Sequence, residues 1–319
     1  MKRRQNGAED YVIQDFPASE KLMDGRIQYP SDGAVCRYVD LMSDTGFKLV
    51  FGTEANKDIL IDFLNEVIPE HCIKDLEYMD KEKHGDSRDE RGCVFDVYCR
   101  TDSGVRIIVE VQKRSHDWYV ERTLYYSTFP VREQMDVGEP EYRMCPVYVI
   151  SILQGVLGGI NCGDGVLSRF RLYEENNHTL LTDKYNLVFI ELGKFRKRLN
   201  ELDGSIFDGF CYSLRNMANL MERPVELQQA VFSRLFEAAR IAKMDKIKHF
   251  RYKKTMITER DIHCIALTER RIGLEKGMED GIAMVVGAMK KHGMPIDVIA
   301  AVSGWTEEKI RGIGQSSDD

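Results

Sequence analysis

The pattern of apolar and polar residues between positions 93 and 112 predicts a β-hairpin. Its first arm, Cys93–Arg100, is rich in β-branched, aromatic and cysteine residues, and in its second arm, Val105–Gln112, apolar residues alternate with other types. Asp102, Ser103 and Gly104 lie between the arms and are typical of a tight turn. Gly104 suits the left-handed position that closes a three-residue loop, because it has no Cβ to clash there.

The length of this loop fixes which residues face each other. Thr101 then pairs with Val105, and the same register places Asp96 directly opposite Glu110, with Gln112 on the same face. Two carboxylates opposed across a ladder repel each other unless a cation lies between them. Mg²⁺ is bound by carboxylates, water and phosphate oxygens, so the pair predicts a Mg²⁺ site for cutting phosphodiesters. The alternatives are a solvated polar face and a register slipped by one residue, which would separate the two carboxylates.

Apolar residues spaced three and four positions apart predict two helices before the hairpin. Ser43 is expected to cap a short helix that ends at Gly52. A second helix begins at Asn56 and ends before Pro69, and its apolar stripe consists of Ile59, Leu60, Phe63, Leu64 and Val67. Residues 1–35 show no sustained periodicity and are interpreted as a poorly ordered arm.

Short apolar runs predict the remaining strands. Ile73–Met79 is a candidate opening strand, and Asp80–Arg91 reads as a charged loop. Val147–Leu153 and Leu187–Leu192 are continuous apolar runs, which is typical of strands buried on both faces. Gly155–Asn177 is rich in glycine and predicts a hairpin or a loop. Together with the hairpin, these runs predict a mixed sheet with helices on either side.

One further helix is predicted directly after the hairpin, over Asp117–Gln134. Pro130 lies inside it, so the helix is expected to kink or break near Phe129. Tyr125 and Tyr126 on this helix are interpreted mainly as core residues, with contact to phosphates as the alternative.

The pattern becomes helical after Lys194. Helices are predicted within Ile206–Leu220, Val225–Met244 and Lys246–Lys291, followed by two short helices within Pro295–Ile313. The short pair is either a helix-turn-helix that binds DNA or a pair of docking helices, and the acidic Glu307 and Glu308 favour docking. The predicted domains are therefore a main domain over 36–243 and a helical extension over 244–319.

Composition narrows the class of protein. The chain has 319 residues, of which 43% are hydrophobic and 30% charged, as in a globular protein with a real core. No apolar run reaches the roughly 20 residues of a membrane span, and the basic start has no apolar run after it, so neither a membrane segment nor a signal peptide is expected. The eight cysteines form no C-x-x-C pair, so we expect reduced thiols and a cytoplasmic location.

The net charge of −7 excludes a protein that is basic throughout, but a local basic patch is enough for binding nucleic acid. The first candidate patch lies next to the hairpin and comprises Lys113, Arg114, His116, Arg122 and Arg132. The second comprises Arg196, Lys197 and Arg198. Either patch contacts DNA or is simply a solvated face.

The hairpin resembles the active site of the PD-(D/E)XK nuclease superfamily, in which an Asp on one strand precedes an (Asp/Glu)-x-Lys on the next. Asp96 and Glu110 match the acidic positions, and Gln112 stands where the lysine usually stands. Glu-x-Gln is typical of the transposase-like branch, the Rpn-type recombination-promoting nucleases. Further matching segments are S-D-T-G-F-K-L-V-F-G at 43–52, Arg122 with Tyr125 and Tyr126, G-E-P-E-Y at 138–142 and P-V-Y-V-I-S-I-L at 146–153. The resemblance covers about Val39 to Glu191.

This resemblance implies a restriction-endonuclease-like α/β fold and a metal-dependent DNA endonuclease. It implies that Mg²⁺ or Mn²⁺ is held by Asp96, Glu110 and the Val111 carbonyl, while Gln112 orients the attacking water without supplying charge. The remaining implied site residues are Asp44 as an accessory acid, Lys48 or Arg122 as the missing cation, and Lys113, Arg114 and Arg122 as phosphate contacts. DNA is the implied partner, and formation of a homodimer is left as a possibility.

Two rival interpretations remain. The first is a catalytically weak or inactive module that keeps the nuclease fold and binds DNA or protein, which the glutamine at position 112 favours. The second is a zinc protein, but the adjacent pairs His71-Cys72 and His263-Cys264 lack the spacing of zinc ligands.

Overall fold

A computed structural model describes residues 37–83, 92–113, 118–135, 143–160 and 162–313. The chain divides into two compact units, with the boundary between Asp245 and Lys246. The arm predicted over 1–35 lies outside the described residues. Where the structure describes the chain, no helix is both long enough and apolar enough to cross a membrane.

The first unit is built on a mixed sheet of six strands. They are β1 (Leu76–Tyr78), β4 (Val97–Thr101), β5 (Arg106–Gln112), β6 (Val147–Leu153), β7 (Leu167–Tyr173) and β8 (Leu180–Glu191). Their order in the sheet is β1-β4-β5-β6-β8-β7. Strands β5, β6 and β8 are parallel to one another, and the other pairings are antiparallel. A separate two-stranded sheet pairs β2 (Glu82–Lys83) with β3 (Cys93–Val94).

Helices cover both faces of the six-stranded sheet. Helix α3 (Tyr119–Arg132) packs on the face that carries Ile108, Val149 and Phe189. On the opposite face, Tyr148 bonds to the segment that follows α2. Edge-to-face and tilted ring contacts join the helices of that layer through Phe51, Phe63, Phe210 and Phe232. These helices are α1 (Asp44–Phe51), α2 (Lys57–Val67), α4 (Ile206–Asn216) and α5 (Ala230–Ala238). The predicted fold class, a mixed sheet flanked by helices, is confirmed.

The predicted hairpin register is confirmed between β4 and β5. Val97 pairs with Val109 and Arg100 pairs with Arg106. Gly104 has φ +85°, the left-handed conformation that the turn requires. The first arm, however, is not one strand, because it divides at Phe95 into β3 and β4. Phe95 leaves the hairpin and donates its N–H to the carbonyl of Lys81 at 2.9 Å, which couples it to the small sheet.

Several predicted boundaries need correction. Helix α3 continues through Pro130 to Arg132 and does not break at Phe129. Pro130 lies in the last turn of the helix. Only two helical residues follow it, so its missing N–H disturbs little of the helix. The loop predicted over Asp80–Arg91 contains the short strand β2, and residues 84–91 lie outside the described part of the chain. Strand β8 begins at Leu180, well before the predicted Leu187, because its outer half forms a hairpin with β7.

The loops after β6 and β8 meet through two glycines. The Gly193 N–H donates to the Gly155 carbonyl at 2.9 Å, and a Cβ on Gly193 would lie 2.7 Å from the same oxygen. Only glycine permits so close an approach of two backbones.

The second unit contains α6 (Lys246–Lys291), α7 (Ile296–Ser303) and α8 (Glu307–Gly312). Val286, Ile299 and Ile310 form its buried centre. Gly304, at φ +70°, ends α7, and the Thr306 hydroxyl caps α8. The two short helices predicted within Pro295–Ile313 are confirmed. In the first unit, α4 and α5 are shorter than predicted, since α4 ends at Asn216 and α5 spans only Ala230–Ala238.

Candidate active site

Asp96 and Glu110 meet where β4 begins, next to the carboxyl end of β5. The Asp96 N–H donates to Glu110 Oε1 at 3.0 Å, and the Val111 N–H donates to Asp96 Oδ2 at 2.9 Å. Each carboxylate thus accepts a hydrogen bond from the backbone beside the other. Both residues are buried, with exposures of 8% for Asp96 and 3% for Glu110. Asp96 precedes the first ladder residue of β4, so its N–H bonds to a side chain and not to a strand carbonyl.

Two cations reach this acidic pair from different helices. Lys48 Nζ of α1 lies 3.2 Å from Asp96 Oδ1 and also pairs with Asp44. Arg122 Nη2 of α3 donates to Glu110 Oε2 at 2.9 Å, and its Nη1 lies 3.5 Å from Gln112 Oε1. The structure therefore brings Asp44, Lys48, Asp96, Glu110, Gln112 and Arg122 into one cluster.

Local structure explains how α1 presents Asp44 and Lys48. The Ser43 hydroxyl accepts from the Gly46 N–H at 3.1 Å, which caps the helix as predicted. Asp44 lies in the first turn and Lys48 one turn later, so both project on the same side. A Cβ on Gly46 would collide with the carbonyl of Asp40, and glycine therefore lets this helix start close to the preceding loop.

Arg122 is held by aromatic rings. Its guanidinium carbon lies 5.0 Å from the ring centroid of Tyr126 and 5.6 Å from that of Tyr119. Tyr126 packs in turn against Phe95, which confirms the packing role expected of this tyrosine. Tyr125 contacts Phe129 edge-to-face but is 38% exposed, so its interpretation as a core residue is wrong. Stacking fixes the direction of the guanidinium fork toward Glu110.

The two buried carboxyls are hard to ionise. Burial, followed by the hydrogen bond with Asp44, raises the pKa of Asp96 to about 6 despite the charge of Lys48. Burial and the charge of Asp96 raise the pKa of Glu110 to about 8 despite the contact with Arg122. Burial opposes ionisation of Lys48, but Asp96 and Asp44 outweigh it and raise the pKa of the ammonium. Two cations thus leave the carboxylate pair incompletely neutralised.

The other predicted site residues have different surroundings. Lys113 Nζ pairs with Asp40 Oδ2 at 2.8 Å, an ion pair that the sequence did not suggest. Val111 contributes its N–H to Asp96. Arg114 and His116 lie outside the described residues. The sequence predicts that Lys48 or Arg122 supplies a cation to the site. It does not predict which acid each contacts, because no local pattern indicates which helix approaches which strand.

The donor set suits a hard divalent cation. Carboxylate and carbonyl oxygens bind Mg²⁺ or Mn²⁺, which retain several waters and therefore need only one or two carboxylates. Asp96 and Glu110 supply two carboxylates. Among the described residues, no third His, Cys, Asp or Glu side chain joins them to form a larger group of metal ligands. His71 bonds to the Tyr148 hydroxyl at 2.9 Å, so a zinc site at His71-Cys72 gains no support.

A mixed sheet flanked by helices, with an acidic pair at adjacent strands, defines a nuclease-type α/β protein. Residues 41–267 match the family model described as PD-(D/E)XK nuclease family transposase, and the chain belongs to this family. The resemblance inferred from the hairpin is therefore confirmed, and the family indicates a nuclease or transposase-like function that acts on DNA. Searches of curated proteins and of solved structures give no significant match.

Proposed function

We propose that this protein is a Mg²⁺- or Mn²⁺-dependent endodeoxyribonuclease of the transposase-like type, with recombination as its setting. In this proposal residues 36–243 carry the nuclease and 244–319 the helical extension. The observation that carries the proposal is the buried pair Asp96 and Glu110, linked by hydrogen bonds and still short of positive charge.

Asp96, Glu110 and the Val111 carbonyl would hold the metal ion. When bound, the ion would lower the pKa of a water and balance charge on the phosphoryl group. The charge of the ion would favour the ionised form of both carboxyls, because it would compensate for their burial and mutual repulsion. Without a metal ion the two acids stay partly protonated, and a bound metal ion would favour their charged form.

The chain's own cations and amide would do the remaining work. Gln112 can orient a water through its amide, and Arg122, which contacts both Glu110 and Gln112, can place a phosphate oxygen beside them. Lys48 supplies the positive charge that the superfamily usually obtains from the lysine at the position of Gln112. Asp44 positions Lys48 as an accessory acid.

Cleavage of supercoiled plasmid in Mg²⁺ tests the proposal. Wild type should nick or linearise the plasmid, whereas Asp96→Asn should not. Asparagine has the shape of the protonated Asp96 and can keep the Val111 N–H and the Asp44 contacts. It loses the ion pair with Lys48, but Lys48 retains Asp44 as its partner, so the fold should survive. Equal cleavage by Asp96→Asn and wild type, at equal purity, would refute the assignment.

The second candidate is a DNA-binding module with little or no catalytic power. It is favoured by Gln112 and by the protein donors that already occupy the oxygens of both carboxylates. Gln112→Lys separates the two candidates, since a restored lysine should enhance cleavage by a working nuclease. If wild type binds plasmid but neither it nor Gln112→Lys cuts it, the module is the better description.

A further inference from the structure

A shallow groove of about 340 Å³ lies beyond the end of β8. We call it the basic groove, and it is lined by Phe195, Arg196, Lys197, Arg198, Leu199, Tyr212, Arg215 and Asn216. Four of these eight residues are cations, in a chain whose net charge is −7. The groove therefore stands out as a concentration of positive charge.

The structure separates the three consecutive basic residues of the loop. Lys197 Nζ contacts Asp208 and lies 3.7 Å from Asp203, so its charge is compensated within the protein. Arg196 and Arg198 are exposed, and neither side chain forms an ion pair among the described residues, although the Glu201 carboxylate accepts from the backbone N–H of Arg198 at 2.6 Å. Two of the three charges thus remain available for a ligand.

Arg215 from α4 adds a third cation and holds the loop in place. Its Nη1 donates to the carbonyls of Phe195 at 2.6 Å and Leu192 at 3.2 Å. Burial, and then the nearby charge of Arg196, lower the pKa of Arg215. Arg196 and Arg215 are thus near enough for their like charges to interact, and such an arrangement favours an anion in the groove.

The basic groove is rooted at the same edge of the sheet as the acidic pair. In the parallel ladder, Gln112 is level with Leu153, and Leu153 is level with Glu191. Two strand spacings of roughly 4.8 Å place Glu191 about 10 Å from Gln112. Phosphates follow one another along a DNA strand at about 3.4 Å of helix axis. A DNA strand of a few nucleotides is therefore long enough to run from Gln112 past Glu191 to the loop that begins at Phe195 and lines the groove.

We infer that the basic groove binds the phosphodiester backbone of the DNA substrate beside the cleavage site, with Arg196 and Arg198 as the contacting residues. This inference rests on the proposed function for its substrate. A shallow groove without a deep apolar cavity fits a backbone, which is bound by charge and independently of sequence. Arg215 is a positioning residue, since its contacts maintain the loop.

The test measures binding of a fluorescent DNA duplex to full-length Asp96→Asn protein in Mg²⁺, so that cleavage does not interfere. Adding Arg196→Gln and Arg198→Gln should weaken binding about 10-fold near 0.15 M salt, and should reduce the slope of log K against log salt by about 2. The matched control adds Lys74→Gln and Lys184→Gln, which remove two exposed charges from the opposite end of the sheet and should leave both values nearly unchanged.

The outcomes for the groove and for the nuclease are distinct. Equal affinity and equal salt slope in the groove variant and its parent would overturn the inference, even if wild type cuts plasmid. Equal losses in the groove variant and the control would also overturn it, because the effect would then be one of net charge. If only the groove variant loses affinity for DNA and wild type does not cut plasmid, the inference about the groove is supported and the nuclease proposal is refuted.

Discussion

Two polar clusters in the first unit differ in how their charges are balanced. Near the amino end of β6, the Glu70 carboxylate accepts from Arg169 at 3.1 and 3.2 Å, from Arg171 at 3.3 Å and from the Tyr148 hydroxyl at 3.2 Å. Burial opposes ionisation of Glu70, but hydrogen bonding and Arg169 outweigh it and lower its pKa. At the carboxyl edge, the pKa values of Asp96 and Glu110 are raised to about 6 and about 8.

The contrast separates a structural network from a site that needs a ligand. One acid with two arginines is fully compensated, and it joins α2 to the sheet without further help. Three acids, Asp44, Asp96 and Glu110, share one lysine and one arginine, so this cluster is short of one positive charge. Burial also makes the two buried acids difficult to ionise. Perturbed carboxyls of this kind are typical of functional sites. The following substitutions test this contrast.

The largest effect is expected at the acidic pair. Glu110→Ala should reduce Mg²⁺-dependent plasmid cleavage by more than about 100-fold, since loss of a ligand should exceed the 10- to 100-fold effect typical of residues that only support one. Initial rates at saturating Mg²⁺ measure this. Cleavage within a few-fold of wild type would place the metal elsewhere.

The second effect concerns pH and metal. Folded Asp96 and Glu110 have raised pKa values, so their contribution to stability is present below about pH 4 and is lost as pH rises toward 8. For Asp96 alone the change is on the order of 3 kcal/mol. Thermal unfolding in EDTA should therefore show falling stability from pH 4 to 8, and Mg²⁺ should restore it at pH 8.

The Asp96→Asn variant is the control for that titration. Its amide does not ionise, so the fall in stability should be smaller and the Mg²⁺ effect should disappear. The same change of stability between pH 5 and pH 8 in wild type and in Asp96→Asn, both in EDTA, would contradict the raised pKa of Asp96.

The third effect concerns Arg122. Arg122→Gln should lower cleavage by about 10- to 100-fold. Arg122→Lys should recover only part of it, because lysine lacks the planar fork that contacts Glu110 and Gln112 together. Arg100→Gln is the matched control and should cut like wild type. Full activity of Arg122→Gln would leave Lys48 as the relevant cation.

The smallest effect is expected at the compensated cluster. Glu70→Gln should lower the free energy of unfolding by about 1 kcal/mol, a modest value because the Glu70 side chain is 35% exposed. Cleavage should stay near the wild-type rate. A loss of cleavage comparable to that of Glu110→Ala would remove the distinction between the two clusters.

Local chemistry explains which parts of the fold could be predicted from the sequence. The turn at Gly104 fixes the register of the hairpin, and the helix predicted over Lys246–Lys291 matches the limits of α6. The helix break predicted near Pro130 is wrong, because the effect of a proline on a helix depends on how many helical residues follow it. The outer half of β8 lacked an apolar run, since it is exposed and held mainly by pairing with β7.

The candidate site was predictable in part for the same reason. Asp96, Glu110 and Gln112 belong to one hairpin, so spacing alone places them together. The approach of Lys48 to Asp96 depends on how α1 docks on the sheet, and that docking is decided by many distant apolar contacts. The partners of Lys113 and Lys197, Asp40 and Asp208, were hidden for the same reason.

The contact between Gly193 and Gly155 has a consequence for how this protein can diverge. Because the two backbones touch, any side chain at position 193 would force the loop after β8 away from the loop after β6. The basic groove follows directly on that loop, so its displacement would shift the arginines relative to the acidic pair. Either loop can therefore be lengthened only away from the contact between Gly155 and Gly193. This contact keeps a constant distance between the basic groove and the acidic pair.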